Sequence, residues 1–285
     1  MGGASPCGGQ HDHVTLHEPG YDAVAWATGP QRVYDRLAER AAALIPAELD
    51  RSHALDVGAG TGALTRALLR RGAHVDAADA SADMLAELSR QTHGRVATTV
   101  ADVRALPMRA GSYDVTGAAF VLNHLSDPAR AAAELARVTR PDGFVLATTF
   151  AAGDPPAKLA IDAVLQRHGH RPPEWYVEMK AETVPLTATA PAFHAVAKQA
   201  GLLSCDVAEV VVGFDDLEPA AVAAYRLGMA HTAPFLAGLP AGERAELTAE
   251  AIAAVESSPP LALVMLALVA GTSGARWRQL DGAGL

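Results

Sequence analysis

The spacing of apolar residues predicts that helices and strands alternate along the first half of the chain. Apolar positions one helical turn apart indicate a helix over residues 31–44, which Pro46 ends. Beyond it, short apolar strands are predicted at 54–57, 74–78, 96–100, 113–120 and 144–150, with helices at 63–71, 81–91 and 128–138 and a turn at 141–143. Strands that alternate with helices at this spacing indicate a parallel sheet covered by helices on both faces.

The alternation stops after residue 150, where proline and histidine become frequent. Helices are predicted at 156–167, 192–200, 218–229 and 242–255, and strands at 204–212 and 261–270. The apolar run at 261–270 is much shorter than the roughly 20 residues that a membrane-spanning helix needs, so it predicts a buried strand. We expect a leader and lid at 1–30, a binding core at 31–150, a substrate cap at 151–200, and a C-terminal part at 201–285 that completes the sheet and the cap.

Composition excludes several classes of protein. The chain has 285 residues and a formal net charge of −9, which is unsuited to binding the phosphate backbone of nucleic acids. With only Cys7 and Cys205 there is no disulfide framework, and the start of the chain lacks a signal-peptide pattern, so a soluble cytoplasmic protein without membrane attachment is expected. His11, His13 and His17 lie in a glycine-rich leader that is interpreted as a solvated tail, and no metal is expected.

A glycine-rich loop between the first strand and the next helix carries the most informative chemistry. Gly58, Gly60 and Gly62 let the backbone turn sharply and approach a ligand. The loop also fits a loose dinucleotide-binding pattern, but Asp56 would repel a pyrophosphate and would attract an ammonium group. Asp79, at the end of the second strand, is placed to accept hydrogen bonds from ribose hydroxyls, and Asp102, after the third strand, to accept one from an adenine amino group.

Four ordered motifs over residues 30–150 resemble the class I S-adenosylmethionine-dependent methyltransferases, in their small-molecule, UbiE-like group. These motifs are LDVGAGTG, VDAADASADML, VADVRALPMRAGSYDVTGAAFVLNHLSDP and ELARVTRPDGFVLATTF. The resemblance implies a Rossmann-like, doubly wound seven-stranded sheet, mostly parallel with an antiparallel last strand, and a helical cap. It implies S-adenosylmethionine as cofactor, S-adenosylhomocysteine as product, and cofactor contacts from Tyr21, Asp56, Gly58, Ala59, Gly60, Gly62, Asp79, Ala80, Met84, Asp102, Val103, Ala119 and Phe120.

Candidates for catalysis and for acceptor binding follow the fourth strand or lie in the cap. A sulfonium methyl is already activated, so the protein mainly has to align a nucleophile and exclude water. His124 is a candidate base or orienting group, with packing as the alternative, and the aromatic pair Trp175 and Tyr176 is either an acceptor wall in a loop or a hydrophobic anchor. Further candidate histidines are His231, His194, His168 and His170.

These features predict methyl transfer to a small molecule, an aromatic or polyketide-like secondary metabolite, on oxygen, nitrogen or carbon. Three alternatives stay open: a cyclase or rearrangement enzyme that uses the bound sulfonium as a fixed charge, a quinone-type C-methyltransferase, and a nicotinamide dehydrogenase. Helical extensions in this group sometimes mediate homodimers, and no residue pattern decides that point.

Overall fold

The computed structural model describes residues 22–273, and they fold around one seven-stranded sheet. The strand order is β3-β2-β1-β4-β5-β7-β6. The strands are His53–Val57 (β1), His74–Asp79 (β2), Ala97–Val100 (β3), Tyr113–Ala119 (β4), Thr139–Phe150 (β5), Ser204–Gly213 (β6) and Ala262–Gly271 (β7). Strands β1 to β5 pair in parallel, whereas β7 is antiparallel to both β5 and β6, which confirms the predicted fold class.

Helices cover both faces of the sheet and build the cap over one edge. They are Ala23–Thr28 (α1), Gln31–Ala43 (α2), Ala63–Arg70 (α3), Ala82–Gln91 (α4), Pro128–Val138 (α5), Pro156–Arg167 (α6), Glu174–Glu178 (α7), Ala190–Gln199 (α8), Pro219–Leu227 (α9), Ala233–Gly238 (α10) and Ala241–Glu256 (α11). A 3-10 turn lies at Leu122–His124, a π-helical turn at Met179–Thr183, and a second 3-10 turn at Val184–Leu186. None of the helices within residues 22–273 is long and apolar enough to cross a bilayer.

Two hydrophobic cores lie on opposite faces of the sheet. The larger one joins the core helices α2 and α3 to the cap helices α6, α9 and α11, for example through Leu37, Leu68 and Ile161. The other packs α5 and α8 against the sheet through Leu135 and Phe193, both fully buried. The cap is therefore part of the main core, and the sheet and the cap share their hydrophobic stabilisation.

Every predicted helix and strand is present, with ends that shift by one or two residues, except that β5 begins at Thr139, five residues earlier than predicted. Helix α8 begins at Ala190, two residues earlier than predicted, because the Thr189 hydroxyl accepts a hydrogen bond from the Ala192 N–H at 3.3 Å. The predicted turn at 141–143 is a bulge inside β5, where the pairing with β4 shifts register and Asp142 has a φ of 66°.

Three short helices, α1, α7 and α10, are absent from the expectations. The prediction that Trp175 and Tyr176 lie in a loop is wrong, because both belong to α7. Pro173 precedes this helix with a φ of −64°, which suits the residue before a helix, and the chain continues directly into the π-helical turn. A helix of five residues is too short to show a hydrophobic period.

Candidate functional site

The glycine loop connects β1 to α3 at the carboxyl edge of the sheet. Gly58, Gly60 and Gly62 have φ values of 66°, 53° and 94°, in the left-handed region that favours glycine. A Cβ added to Gly58 would overlap the side chain of Val121, which follows β4. A Cβ on Gly60 would lie 3.6 Å from Met84 Cε. The loop thus forms a cradle that side chains on its glycines would distort or narrow.

Asp79, the last residue of β2, fixes the shape of this loop. Its Oδ2 accepts a hydrogen bond from the Gly60 N–H at 2.8 Å, and its Oδ1 accepts one from the Ser81 N–H at 2.8 Å. Each carboxylate oxygen keeps a second lone pair for a ligand hydroxyl. Burial raises the pKa of Asp79 in spite of these hydrogen bonds, so the carboxylate lacks a compensating cation.

Asp56, on β1, is a second carboxylate beside the loop and is more completely enclosed. Only 1% of Asp56 is exposed. Its Oδ2 accepts a hydrogen bond from Thr65 Oγ1 at 2.6 Å, whereas its Oδ1 has no hydrogen-bond partner among residues 22–273. Burial, with a smaller contribution from the negative charge of Asp79, raises the pKa of Asp56 to about 6.

The residues at the loop fit a ligand that carries a positive charge next to hydroxyl groups. Two carboxylates with raised pKa values and one unpartnered buried oxygen favour a cation, because an opposite charge restores the ionised forms. The ammonium, sulfonium and ribose groups of S-adenosylmethionine have this combination. A pyrophosphate would add negative charge to a place where burial already penalises it.

The residues expected at the adenine end are only partly brought together. Met84 and Val103 are buried, whereas Ala80 is exposed. Ala59, in the glycine loop, is held to β2 because its N–H donates a hydrogen bond to the Ala78 carbonyl oxygen at 3.0 Å. Asp102 is bound by Arg104, whose Nη2 lies 2.6 Å from Asp102 Oδ2, and these hydrogen bonds lower the pKa of Asp102. A ligand at Asp102 would therefore share the carboxylate with Arg104.

Phe120 directly follows β4 and adopts an uncommon backbone conformation. Its φ is 59°, and its N–H donates to the Thr148 carbonyl oxygen at 3.0 Å and to Thr148 Oγ1 at 3.2 Å. Its ring packs against Phe150 with ring centroids 4.5 Å apart and against the edge of Tyr34 at 5.1 Å. Trp26 of α1 extends this cluster, at 4.9 Å from Tyr34.

These aromatic rings cover the carboxyl edge beside Ala119, the last residue of β4. Sequence reasoning named Phe120 but missed Trp26, Tyr34 and Phe150. Tyr34 lies inside the predicted helical stripe, where its apolar body alone explains its position, and only the folded chain brings it to the end of β4.

His124 ends the 3-10 turn after β4, and its ring makes no hydrogen bond to another residue of the described chain. Burial lowers the pKa of His124 to about 4, so its imidazole is neutral at pH 7. The neighbouring Asn123 is buried, and its Oδ1 also has no partner within the same residues. The Asn123 carbonyl oxygen accepts a hydrogen bond from Thr183 Oγ1 at 2.7 Å, which ties the π-helical turn of the cap to this segment.

The candidate residues of the cap separate into two groups. Tyr176 and His231 stack at 3.8 Å with an interplanar angle of 13°, and His170 Nε2 lies 2.9 Å from the His231 carbonyl oxygen. In contrast, His168 pairs with Glu250 at 3.1 Å, and His194 lies 3.4 Å from Cys205 Sγ on an exposed part of α8. His168 and His194 thus contact other partners than Tyr176 and His231.

A buried ion pair next to Tyr176 was missed from the sequence. Arg226, only 5% exposed, donates to Asp162 from Nε at 2.6 Å and from Nη2 at 2.8 Å. The two residues are 64 positions apart, on α9 and α6, so no local pattern could join them.

Two sequence expectations fall outside the residues that the structure describes. Tyr21, the expected lid residue, precedes residue 22, as do Cys7, His11, His13 and His17. Within residues 22–273, no group of three or more His, Cys, Asp or Glu side chains is arranged to hold a metal ion.

Comparisons with known proteins show similarity to methyltransferases. Residues 55–147 match the family model described as a methyltransferase domain. The chain is 39% identical to malonyl-[acyl-carrier protein] O-methyltransferase of Halorhodospira halophila over 134 residues, which are 46% of this chain and 44% of that protein. It is 32% identical over 199 residues to an uncharacterized methyltransferase of Mycobacterium sp. strain JLS, covering 58% of this chain and 78% of that protein.

A solved structure shares the fold at low identity. Phosphoethanolamine N-methyltransferase 2 of Haemonchus contortus, in complex with S-adenosylhomocysteine, superposes with a TM-score of 0.56 at 17% identity. The match covers 88% of this chain and 57% of that one. The chain spans less than half the length of several curated relatives that it matches, including the H. halophila protein.

Proposed function

Because the chain belongs to the class I S-adenosylmethionine-dependent methyltransferase family, of the UbiE-like type, we propose that it transfers a methyl group to a small-molecule acceptor. The observation that carries the proposal is the pair of carboxylates beside the glycine loop, the buried Asp56 and the half-buried Asp79. Both have raised pKa values without a cation in contact, and one Asp56 oxygen has no partner among residues 22–273. The acceptor is proposed to be a secondary metabolite, methylated on oxygen, nitrogen or carbon.

In this proposal the glycine loop and the two carboxylates hold the cofactor. Asp56 offers negative charge to the ammonium group, and the free lone pairs of Asp79 accept from the ribose hydroxyls. Met84, Val103 and Asp102 contact the adenine, and Ala119 and Phe120 pass beside the sulfur. When bound, S-adenosylmethionine supplies an electrophilic methyl group that needs no further activation.

The protein contributes orientation and exclusion of water. Trp26, Tyr34, Phe120 and Phe150 form an apolar cover next to the end of β4, and a dry site favours attack by the acceptor over reaction with water. His124 is neutral at pH 7 and can accept a hydrogen bond or a proton, but a pKa of about 4 makes it a weak base. It therefore suits acceptors that lose their proton easily or that need none removed.

The direct test is turnover with isotope-labelled S-adenosylmethionine and a set of small-molecule acceptors. We expect one S-adenosylhomocysteine released for each methylated product, measured by mass spectrometry. Turnover of an acceptor without S-adenosylhomocysteine would contradict methyl transfer and favour the sulfonium-assisted cyclase. Thermal stabilisation by NADH but not by S-adenosylhomocysteine would overturn the cofactor assignment.

A further inference from the structure

A second polar site lies inside the cap, formed by Tyr176, Arg226 and His231, which we name the cap cluster. Tyr176 comes from α7, Arg226 from α9, and His231 from the turn between α9 and α10. The Tyr176 and His231 rings stack at 3.8 Å, and Tyr176 also interacts with the Arg226 guanidinium. Two parts of the chain that are distant in sequence, α7 and the segment 226–231, thus meet at this point.

His231 is buried with an unused hydrogen-bonding nitrogen. The residue is 5% exposed, and its Nε2 has no partner among residues 22–273. The backbone of His231 is already held, because its carbonyl oxygen lies 2.9 Å from His170 Nε2. A buried polar atom without a partner is destabilising, so the position is explained best by a ligand that supplies the partner.

The charges around His231 favour a negative ligand. Burial lowers the pKa of His231 to about 2, with smaller contributions from the positive charges of Arg226, Lys158, His170 and Lys180, so the imidazole is neutral. Arg226 is paired with Asp162, and Lys158 and Lys180 share the single carboxylate of Asp154. Among the ion pairs of residues 22–273, these three cations share two carboxylates, so the group carries a net charge of +1.

The cap cluster lies over the strand ends where methyl transfer is proposed. Asp154 follows Phe150, the last residue of β5, whose ring is 4.5 Å from that of Phe120 at the end of β4. On the other side, Tyr225 precedes Arg226 in α9, and its ring is 6.3 Å from Tyr34, which contacts Phe120. The carboxyl ends of parallel strands form the usual ligand-binding edge of such sheets.

We propose that the cap cluster binds an anionic oxygen of the acceptor, such as a carboxylate, phenolate or enolate, with the His231 Nε2–H as donor. This inference rests on the proposed function, because it assigns the ligand to the acceptor. Tyr176 positions the imidazole by stacking, and the surrounding cations stabilise the negative charge. His231 is thus a specificity-determining residue.

The test measures binding of matched acids and amides to protein saturated with S-adenosylhomocysteine, by titration calorimetry. The probes are benzoate and 1-naphthoate, with benzamide and 1-naphthamide as neutral partners of the same shape. We expect at least one acid to bind tenfold or more tighter than its amide. In protein with ¹⁵N-labelled histidine, that acid should also shift the His231 Nε2 resonance.

Variants separate recognition from folding. His231→Phe keeps a ring that stacks on Tyr176 but removes the nitrogen, so it should abolish the preference for the acid while affinity for S-adenosylhomocysteine is retained. Lys180→Met, at a half-exposed position, should weaken acid binding about threefold and leave amide binding unchanged. His194→Phe, at an exposed histidine of α8, is the matched control and should keep the full preference.

Several outcomes would overturn the inference. They are equal affinity for acid and amide, no binding of any probe, or a preference that survives in His231→Phe. If S-adenosylhomocysteine itself fails to bind, the proposed function is wrong and the inference falls with it. If S-adenosylhomocysteine binds and the acid preference is missing, only the inference fails.

Discussion

The glycine loop and the cap cluster bury charged groups in opposite ways. At the loop, Asp56 and Asp79 are held by a hydroxyl and by backbone N–H groups, without a cation in hydrogen-bond contact. In the cap, Arg226 is fully paired with Asp162, and the lysines nearby leave a positive excess.

The difference indicates what each region lacks. The loop lacks a positive charge and suits the ammonium and sulfonium of the cofactor, whereas the proposed acceptor site lacks a negative one. A cationic methyl donor and an anionic acceptor would be attracted to each other as well as to the protein. The free energy of unfolding should therefore depend on the ion pair between Arg226 and Asp162 in the cap. Cofactor affinity should depend on the carboxylates at the loop, which have no cation in contact.

The largest expected effect is on the completed ion pair of the cap. Asp162→Ala should lower the free energy of unfolding by about 3–5 kcal/mol, because it leaves the Arg226 guanidinium buried without a counter-charge. The double variant Asp162→Leu with Arg226→Met should recover most of this loss. Urea denaturation followed by circular dichroism measures both.

An exposed pair of the same geometry provides the control. Arg36 and Asp216 also form two hydrogen bonds, at 2.5 and 2.6 Å, but 68% of the Asp216 side chain is exposed. Asp216→Ala should cost about 1 kcal/mol or less. Equal losses for Asp162→Ala and Asp216→Ala would show that burial does not distinguish the two pairs.

The next effect is on the shape of the loop. Gly58→Ala should cost about 2–3 kcal/mol of stability, because it adds strain at positive φ to the overlap with Val121. It should also weaken binding of S-adenosylhomocysteine at least tenfold, measured by calorimetry. Combining it with Val121→Ala should restore part of the stability, since the overlapping methyl groups are removed.

Gly94→Ala is the control that separates the strain of a positive φ from the steric overlap with Val121. Gly94 has nearly the same φ, 68°, but an added Cβ would meet nothing within 4 Å. The Gly94→Ala variant should lose about 1 kcal/mol of its free energy of unfolding and keep its affinity for S-adenosylhomocysteine. If Gly94→Ala loses as much affinity for S-adenosylhomocysteine as Gly58→Ala does, the claim that the shape of the glycine loop determines cofactor affinity is contradicted.

The two regions also differ in how far the sequence predicts them. The loop is built from contacts that span at most 19 positions, such as Asp56 with Thr65 and Asp79 with Gly60 and Ser81, so the spacing of its residues indicates them. The cap cluster depends on contacts across 55 to 64 positions, and the partners of Arg226 and His231 follow only from packing of the cap helices. All seven strands were predicted, because each is a local run of apolar residues, although the pairing between them is long-range.

The errors have physical causes as well. Helices α1, α7 and α10 have five or six residues, too few for a period to show against the background. Sequence reasoning also missed the ion pair of Asp102 with Arg104, which forms because a separation of two residues lets the guanidinium fold back onto the carboxylate. Unpartnered buried atoms, such as Asn123 Oδ1, cannot be inferred without the folded chain.

The smallest and most specific effect concerns the proton on Asp56. Its pKa of about 6 in the folded protein lies above the ordinary aspartate value of 3.8, so its stabilising contribution is present below pH 4 and is lost as the pH rises through 6. At pH 8, Asp56→Asn should therefore stabilise the free protein by about 1–3 kcal/mol, because it removes a buried charge.

A cationic cofactor needs the ionised form of Asp56, so affinity for S-adenosylmethionine should fall about tenfold between pH 7 and pH 5 in the unmodified protein. Calorimetry at both pH values should show that Asp56→Asn binds weakly and has lost most of this pH dependence, while Asp83→Asn, at an exposed residue of α4, retains it. If Asp56→Asn binds S-adenosylmethionine as tightly as the unmodified protein does, the negative charge of Asp56 does not contribute to cofactor binding.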